Sequence, residues 1–248
     1  MKKLLLLLLL LLPLQADAAR LFTASNSDKV VLATTGQAVT DYFSFVYWFK
    51  LSVLPGQGVS SCIISKGNAA NVSSNYYVRF EGTLGSVRAG MVWTTSPGAS
   101  TYWVKDTNIS SLSMNVWHHL AWTVDWTTNP DTVKVYLDGV VDTVTLASGS
   151  NNGPPTTTAT QVMTIGQVIG IFPYNGDLAD LAGYNAVLTQ AEITALSKGV
   201  RPNKLGRPML YYVPLDGALT LEPDYSGNGC NGTVTGATRS NGPPLIPF

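Results

Sequence analysis

At 248 residues the chain can form one large domain or two small ones. Only 12% of residues are charged and the formal net charge is +0, so nothing supplies the basic face that nucleic-acid binding needs. With 45% hydrophobic residues set among Ser, Thr, Asn and Gly, the composition suits short strands and polar turns better than helices.

The chain opens MKKLLLLLLLLLPLQADAAR. Lys2 and Lys3 form a positive start, Leu4 to Leu14 an apolar run broken only by Pro13, and Ala16-Asp17-Ala18 a small-residue cleavage pattern. The run is far shorter than the roughly 20 apolar residues of a membrane span. Residues 1–18 are therefore expected to be a signal peptide cleaved after Ala18, an uncleaved anchor being the alternative. Residues 19–248 form the predicted domain, secreted or displayed at the cell surface.

Short apolar–polar alternations separated by Gly, Pro, Asn and Ser predict antiparallel strands. In chain order these are 29–32, 43–51, 62–65, 76–80, 86–93, 102–105, 117–125, 132–137, 140–146, 161–165, 178–184 and 210–214. In VKVYLDGVVDTV, Asp138-Gly139 reads as a two-residue type I′ hairpin turn. VLTQAEITALSKG predicts one helix, with Thr189 and Glu192 as a capping box and Gly199 ending it, placed to cover one end of a sandwich. The segment 198–208, KGVRPNKLGRP, reads as a linker. Residues 209–248 are too few for a core of their own, so they are expected to dock as a trailing segment. The start of a second domain is the rival reading.

Cys62 and Cys230 are the only cysteines. In an oxidising compartment they could form a disulfide, or remain two separate buried thiols. Asn71, Asn108 and Asn231 begin glycosylation sequons, relevant only in a glycosylating host.

The two histidines, His118 and His119, are adjacent in NVWHHLAWTVDW. Neighbours on a strand point to opposite faces, so one metal ion cannot easily take both rings. His118 shares a face with Leu120, Trp122 and Val124 and reads as a buried structural imidazole. His119 falls on the other face, expected to be polar, where Ser or Thr could bond it.

W-H-H-[hydrophobe]-A-x-T-x-D, VKVYLDG, Thr164-Ile165-Gly166 and YNGDLADLAGYNAVLTQAEITAL, with FTASNSDKVVL, FSFVYWFKLS and IISKGN upstream, resemble the laminin G-like, concanavalin A-like lectin family over about residues 21–200. The resemblance implies an all-β fold: a two-sheet antiparallel jelly-roll β-sandwich with one short helix and ligand-binding loops. It also implies candidate calcium ligands, Asp180 in GDLADLAGY and Asp224 in PDYSGNG, with Asp28 in SNSD as a third. Turn-forming roles for all three are the alternative. The segment PLD…DYSGNGCNGT generally opens such domains and here comes last, which looks like a permuted strand.

Some relatives of this kind are glycosidases, which need two carboxylates about 5–9 Å apart. The chain has three glutamates, Glu81, Glu192 and Glu222, of which only Glu222 has an acid two or four positions away (Asp224, in a turn), and no nucleophile elbow or P-loop. Sugar binding instead wants aromatic rings near loops, and the candidates are Trp93, Tyr102, Trp103, Trp126 and Tyr174, with Asp106 and Asn175 to bond hydroxyls. The expectation is a secreted, non-catalytic module for carbohydrate recognition or adhesion, with a structural role for its histidines. The alternative is a self-associating subunit of an extracellular layer, and a glycoside hydrolase ranks third. A glycan or an extracellular protein is the expected partner, with calcium as a possible structural ion and no nucleic acid.

Overall fold

In the computed structural model the described residues are 18–26, 28–34, 38–53, 60–68, 71–83, 86–94, 101–106, 112–128, 132–142, 144–148, 154, 162–168, 172–217 and 220–246. The chain begins with strands Ala18–Phe22 (β1), Lys29–Leu32 (β2), Tyr42–Leu51 (β3), Ser60–Asn68 (β4), Asn71–Thr83 (β5), Ser86–Thr94 (β6) and Thr101–Asp106 (β7). It continues with His118–Asp125 (β8), Thr132–Leu137 (β9), Val140–Asp142 (β10), Val144–Ser148 (β11), Met163–Ile165 (β12) and Gly176–Tyr184 (β13). Helix Gln190–Ser197 (α1) follows, then Met209–Val213 (β14), Leu221–Glu222 (β15), Gly232–Thr235 (β16) and Thr238–Asn241 (β17).

Two antiparallel sheets result. The first runs β10-β9-β8-β3-β13-β1-β17, with β14 also on β13, and the second runs β11-β7-β6-β5-β4-β12-β2-β16-β15. Residues 140–146, expected as one strand, divide between the sheets: β10 pairs with β9, and β11 with β7. The C-terminal segment enters both layers, since β14 pairs with β13, β16 with β2 and β17 with β1.

The core between the sheets follows from strand alternation. Phe43, Phe45, Tyr47, Phe49 and Leu51 of β3 meet Leu120, Trp122 and Val124 of β8 and Tyr76, Val78 and Phe80 of β5. The intervening residues Ser44, Val46 and Trp48 of β3 are buried too, which is why YFSFVYWFKL reads as a nearly continuous apolar run. They are covered by a second layer on the outer face of the first sheet, where Val46, Ala121, Ala182 and Tyr184 pack with Ile193 and Leu196 of α1.

Helix α1 therefore lies on a sheet face and not, as its sequence position suggested, over an end of the sandwich. Its N-terminus carries the full capping box between Thr189 and Glu192. Its body sits against the β9–β10 turn, where Gln190 Nε2 donates to the Gly139 carbonyl at 2.6 Å. Further along the same face, Leu245 of the C-terminal tail packs against Ala19, Trp48 and Ala179, and Ile246 N donates to the Gly199 carbonyl.

Candidate functional site

The expected ligand residues separate into two groups. Trp126 and Tyr174 are core: Trp126 stacks on Phe43 at 6.3 Å, and Tyr174 meets Phe22 edge-on at 6.2 Å. With 6% and 1% exposure neither can stack on a sugar, because apolar area at a strand end is better buried between the sheets than left in water. Asn175 beside them is half-buried, its carbonyl accepting from Ser52 N. Trp93, Tyr102, Trp103 and Asp106 lie on β6 and β7, where Trp93 pairs in register with Tyr102, Trp103 with Val92, and Asp106 with Val144. The side chains of these four lie outside the described residues.

The three aspartates do not gather. Asp180 occupies a β-bulge with φ 47° and binds the Tyr212 hydroxyl at 2.7 Å and Arg201 at 3.1 Å. Asp224 takes the Tyr212 backbone N–H at 2.9 Å, both the N–H and hydroxyl of Ser226, and Cys230 N–H. Both carboxylates thus meet Tyr212, but at opposite ends of the residue. Asp28 accepts from Thr23 N at 2.8 Å. Among the described residues no group of three metal-ligating side chains forms, so this donor set does not fit a calcium ion. These acids organise turns and a bulge. Cys62 and Cys230 are separately buried and not bridged to each other.

The histidines are structural, though His119 departs from expectation. Asp138 Oδ2 lies 2.7 Å from His118 Nδ1, and Ser113 N donates to His118 Nε2. With Nε2 accepting, the proton sits on Nδ1 and is donated to Asp138. His119 is on no polar face: its ring lies 5.3 Å from Trp48 under the tail, 2% exposed. Burial pushes its imidazole down to about 4 against the pull of Asp138. The polar-face reading failed because the outer side of the first sheet is covered.

Two surfaces remain. On the first sheet, a cleft of about 430 Å³ opens between β8–β10 and the turn into α1, lined by Thr123, Asp125, Lys134, Tyr136 and Gln190 among others. Thr123 bonds the Tyr136 hydroxyl, and Asp125 Oδ1 is taken by Thr127, so part of its polarity is already satisfied internally.

On the outer face of the second sheet the row through the centre of β5 holds Arg79, which is itself buried. There the Arg79 guanidinium lies 5.6 Å from the Tyr77 ring and 5.7 Å from the Phe172 ring, with Glu81 at 3.9 Å. Cys62, Arg79, Gly90 and Lys105 form one cross-strand row through β4, β5, β6 and β7. Trp103 belongs to the neighbouring row, through Val92 to Tyr77. Phe172 holds φ 53°, and its carbonyl accepts from Cys62 N at 2.8 Å. The Cys62 thiol beneath is pushed up by burial, with the Arg79 charge acting the other way. Sequence reasoning missed Tyr77, Arg79 and Phe172. The signal available was the alternation YYVRFE, which puts Tyr77, Arg79 and Glu81 on the face opposite Tyr76, Val78 and Phe80.

A family model described as the concanavalin A-like lectin/glucanases superfamily matches residues 24–194. Among solved structures, a candidate carbohydrate-binding protein from Bacteroides ovatus aligns with TM-score 0.65 at 16% identity, over 94% of this chain. This chain spans 62% of that protein's length. The heptameric SAP-like pentraxin of Limulus polyphemus aligns with TM-score 0.55 at 13% identity, over 89% of this chain and 96% of its own. No curated protein matches in sequence. At these identities the structural likenesses are likenesses of fold.

Proposed function

The chain belongs to the concanavalin A-like lectin/glucanase superfamily, and from that premise we propose that it is an exported, non-catalytic carbohydrate-binding module. Its ligand surface is the outer face of the second sheet. The observation that carries this reading is the asymmetry of the two outer faces. Helix α1 and the C-terminal tail cover the first, while the second carries the part-exposed rings of Tyr77 and Phe172 beside a buried Arg79, one row from Trp103. Flat rings beside hydrogen-bonding groups suit the mixed apolar and hydroxylated faces of a sugar. The Bacteroides ovatus neighbour, itself a candidate carbohydrate-binding protein, supports the same class.

A non-catalytic role is supported by how the glutamates are used. Glu81 pairs with Arg79, Glu192 caps α1 and binds Arg207, and Glu222 is buried against Arg20. Export is supported by the charged start, the leucine run and the cleavage pattern at residues 2–18. Among the described residues no helix is long and apolar enough to cross a membrane.

The test is a glycan array and polysaccharide panel with the chain beginning at Ala19. Saturable binding without release of reducing ends is the expected result. Turnover of any polysaccharide would overturn the non-catalytic reading. Silence across the panel together with concentration-dependent oligomers would favour an assembly subunit instead.

A further inference from the structure

We propose that the cleft on the first sheet, beside helix α1, is a second saccharide site that receives one sugar residue through its neighbouring hydroxyls. This rests on the glycan-binding reading above for the class of ligand, but not for its place. Helix α1 packs with Val46, Ala121 and Tyr136, and the cleft opens where that cover stops, over Thr123, Asp125, Thr132 and Lys134. Its volume of about 430 Å³ lies within the range of small-ligand sites.

The floor follows from strand register. Thr123 pairs with Lys134 and Asp125 with Thr132, so alternation sets all four on one face of β8 and β9. The wall is the turn into α1, from Val187 to Gln190. Val141 of β10 and Val187 form two apolar lips, 52% and 39% exposed, against which the C–H groups of a ring can rest.

The polar groups left over suit hydroxyls, each of which donates one hydrogen bond and accepts others. Asp125 Oδ1 takes the N–H and hydroxyl of Thr127 at 2.9 and 2.6 Å, and Oδ2 has no protein partner among the described residues. Gln190 Nε2 donates to the Gly139 carbonyl at 2.6 Å and to Thr194 Oγ1 at 3.1 Å. A carbonyl can only accept, so the amide is turned one way round, and Oε1 is what Gln190 has left to offer. Lys134 is exposed, and among the described residues its ammonium enters no ion pair. One donor and two acceptors, two of the three charged, thus border one small cavity, and bonds to charged groups are the stronger kind.

The walls are held before any ligand arrives. Gln190 ties the β9–β10 turn to the helix, and Leu188 N–H donates to Ser44 Oγ at 2.9 Å, which donates in turn to Ala186 O at 2.6 Å. The capping box fixes Thr189 between them. Groups already fixed in place lose little freedom on binding.

The experiment titrates the isotope-labelled chain from Ala19 with neutral mono- and disaccharides and follows its amide NMR signals. Saturable shifts are expected at residues 123–125, 132–136 and 187–190. Lys134→Met should weaken this binding about 10- to 100-fold, the range of one hydrogen bond to a charged group. Asp125→Asn keeps Oδ1 for Thr127 but puts an amide N–H where Oδ2 stood, and should weaken it as much. Val187→Trp, at an exposed position, should block the cleft while leaving the melting temperature unchanged. Shifts confined to Tyr77, Arg79 and Phe172 overturn this second site and leave the glycan-binding reading intact. Cleft shifts that persist undiminished in all three variants overturn the inference as well. Silence at both faces overturns it together with the reading it rests on.

Discussion

Arg20 and Glu222 form a fully buried ion pair between β1 and β15, 202 residues apart in the chain. Arg20 also donates to the carbonyls of Ala237 and Gly217 at 3.2 Å, and Glu222 Oε2 accepts from Gly217 N at 3.0 Å. The pair links the two sheets where the last segment closes them. Removing one partner strands the other charge in the interior. Glu222→Ala should therefore cost about 3–5 kcal/mol, read as a lower urea midpoint. Arg20→Met with Glu222→Leu should recover most of that loss. A double variant as unstable as the single would show that the ion pair itself, not relief of an isolated charge, holds the sheets.

Acid stability should reflect two opposed groups on the first-sheet outer face. His119, held down at about 4 by burial, leaves the folded chain binding fewer protons than the unfolded one between about pH 6.5 and 4, so its contribution falls as pH falls. Asp180 is pushed up to about 6, chiefly by burial, with Arg201 opposing. Between about pH 6 and 3.8 the folded chain holds the extra proton, so this contribution grows as pH falls. Each is worth on the order of 3 kcal/mol and they nearly cancel. His119→Gln should become more stable on acidification from pH 6 to 4 and Asp180→Asn less, measured by urea midpoints across that range. Parallel profiles for all three proteins would contradict both assignments.

Gly139 carries φ 82° in the β9–β10 turn, and a Cβ there would stand 2.4 Å from Ser197 Oγ of α1. Gly139→Ala should cost about 2–3 kcal/mol, part from the left-handed backbone and part from pushing the helix off its sheet. Adding Ser197→Ala should recover only the steric part. Calorimetric melts of the three proteins separate the two costs, and full recovery would mean the backbone is unstrained.

Asp224 gathers four donors from residues 212, 226 and 230, which is what a loop-closing carboxylate does. Asp224→Ala should cost about 2–4 kcal/mol, at roughly 1 kcal/mol per bond lost. Chelator should leave the melting temperature where it was. A chelator-dependent drop abolished by Asp224→Ala would place a cation there after all.

Much of the scaffold was legible because local rules and the final packing agree. The Asp-Gly hairpin, the capping box of α1 and the long strands β3, β8 and β13 each rest on short-range patterns that tertiary contacts reinforce. The missed elements rest on partners far away. β15 is two residues long and β17 reads TRSN, so neither carries enough alternation to announce a strand. Ala18–Phe22 contains an arginine that is tolerable inside only because Glu222 arrives from the far end of the chain. The site was half legible. Trp103 lies one row from Arg79, but the aromatics at strand ends gave no sign of which would be swallowed by the core, and Trp126 and Tyr174 were.

The pairing of β1 with β17 has a consequence for biogenesis. A ribosome delivers these strands more than two hundred residues apart, so the nascent polypeptide carries an open seam until nearly its whole length has emerged. Closure then becomes a late, non-local step, slow by its topology. On the proposed export route, a precursor of this kind would stay loose enough to be threaded through a translocation pore, and would lock only after its tail has followed its head to the far side.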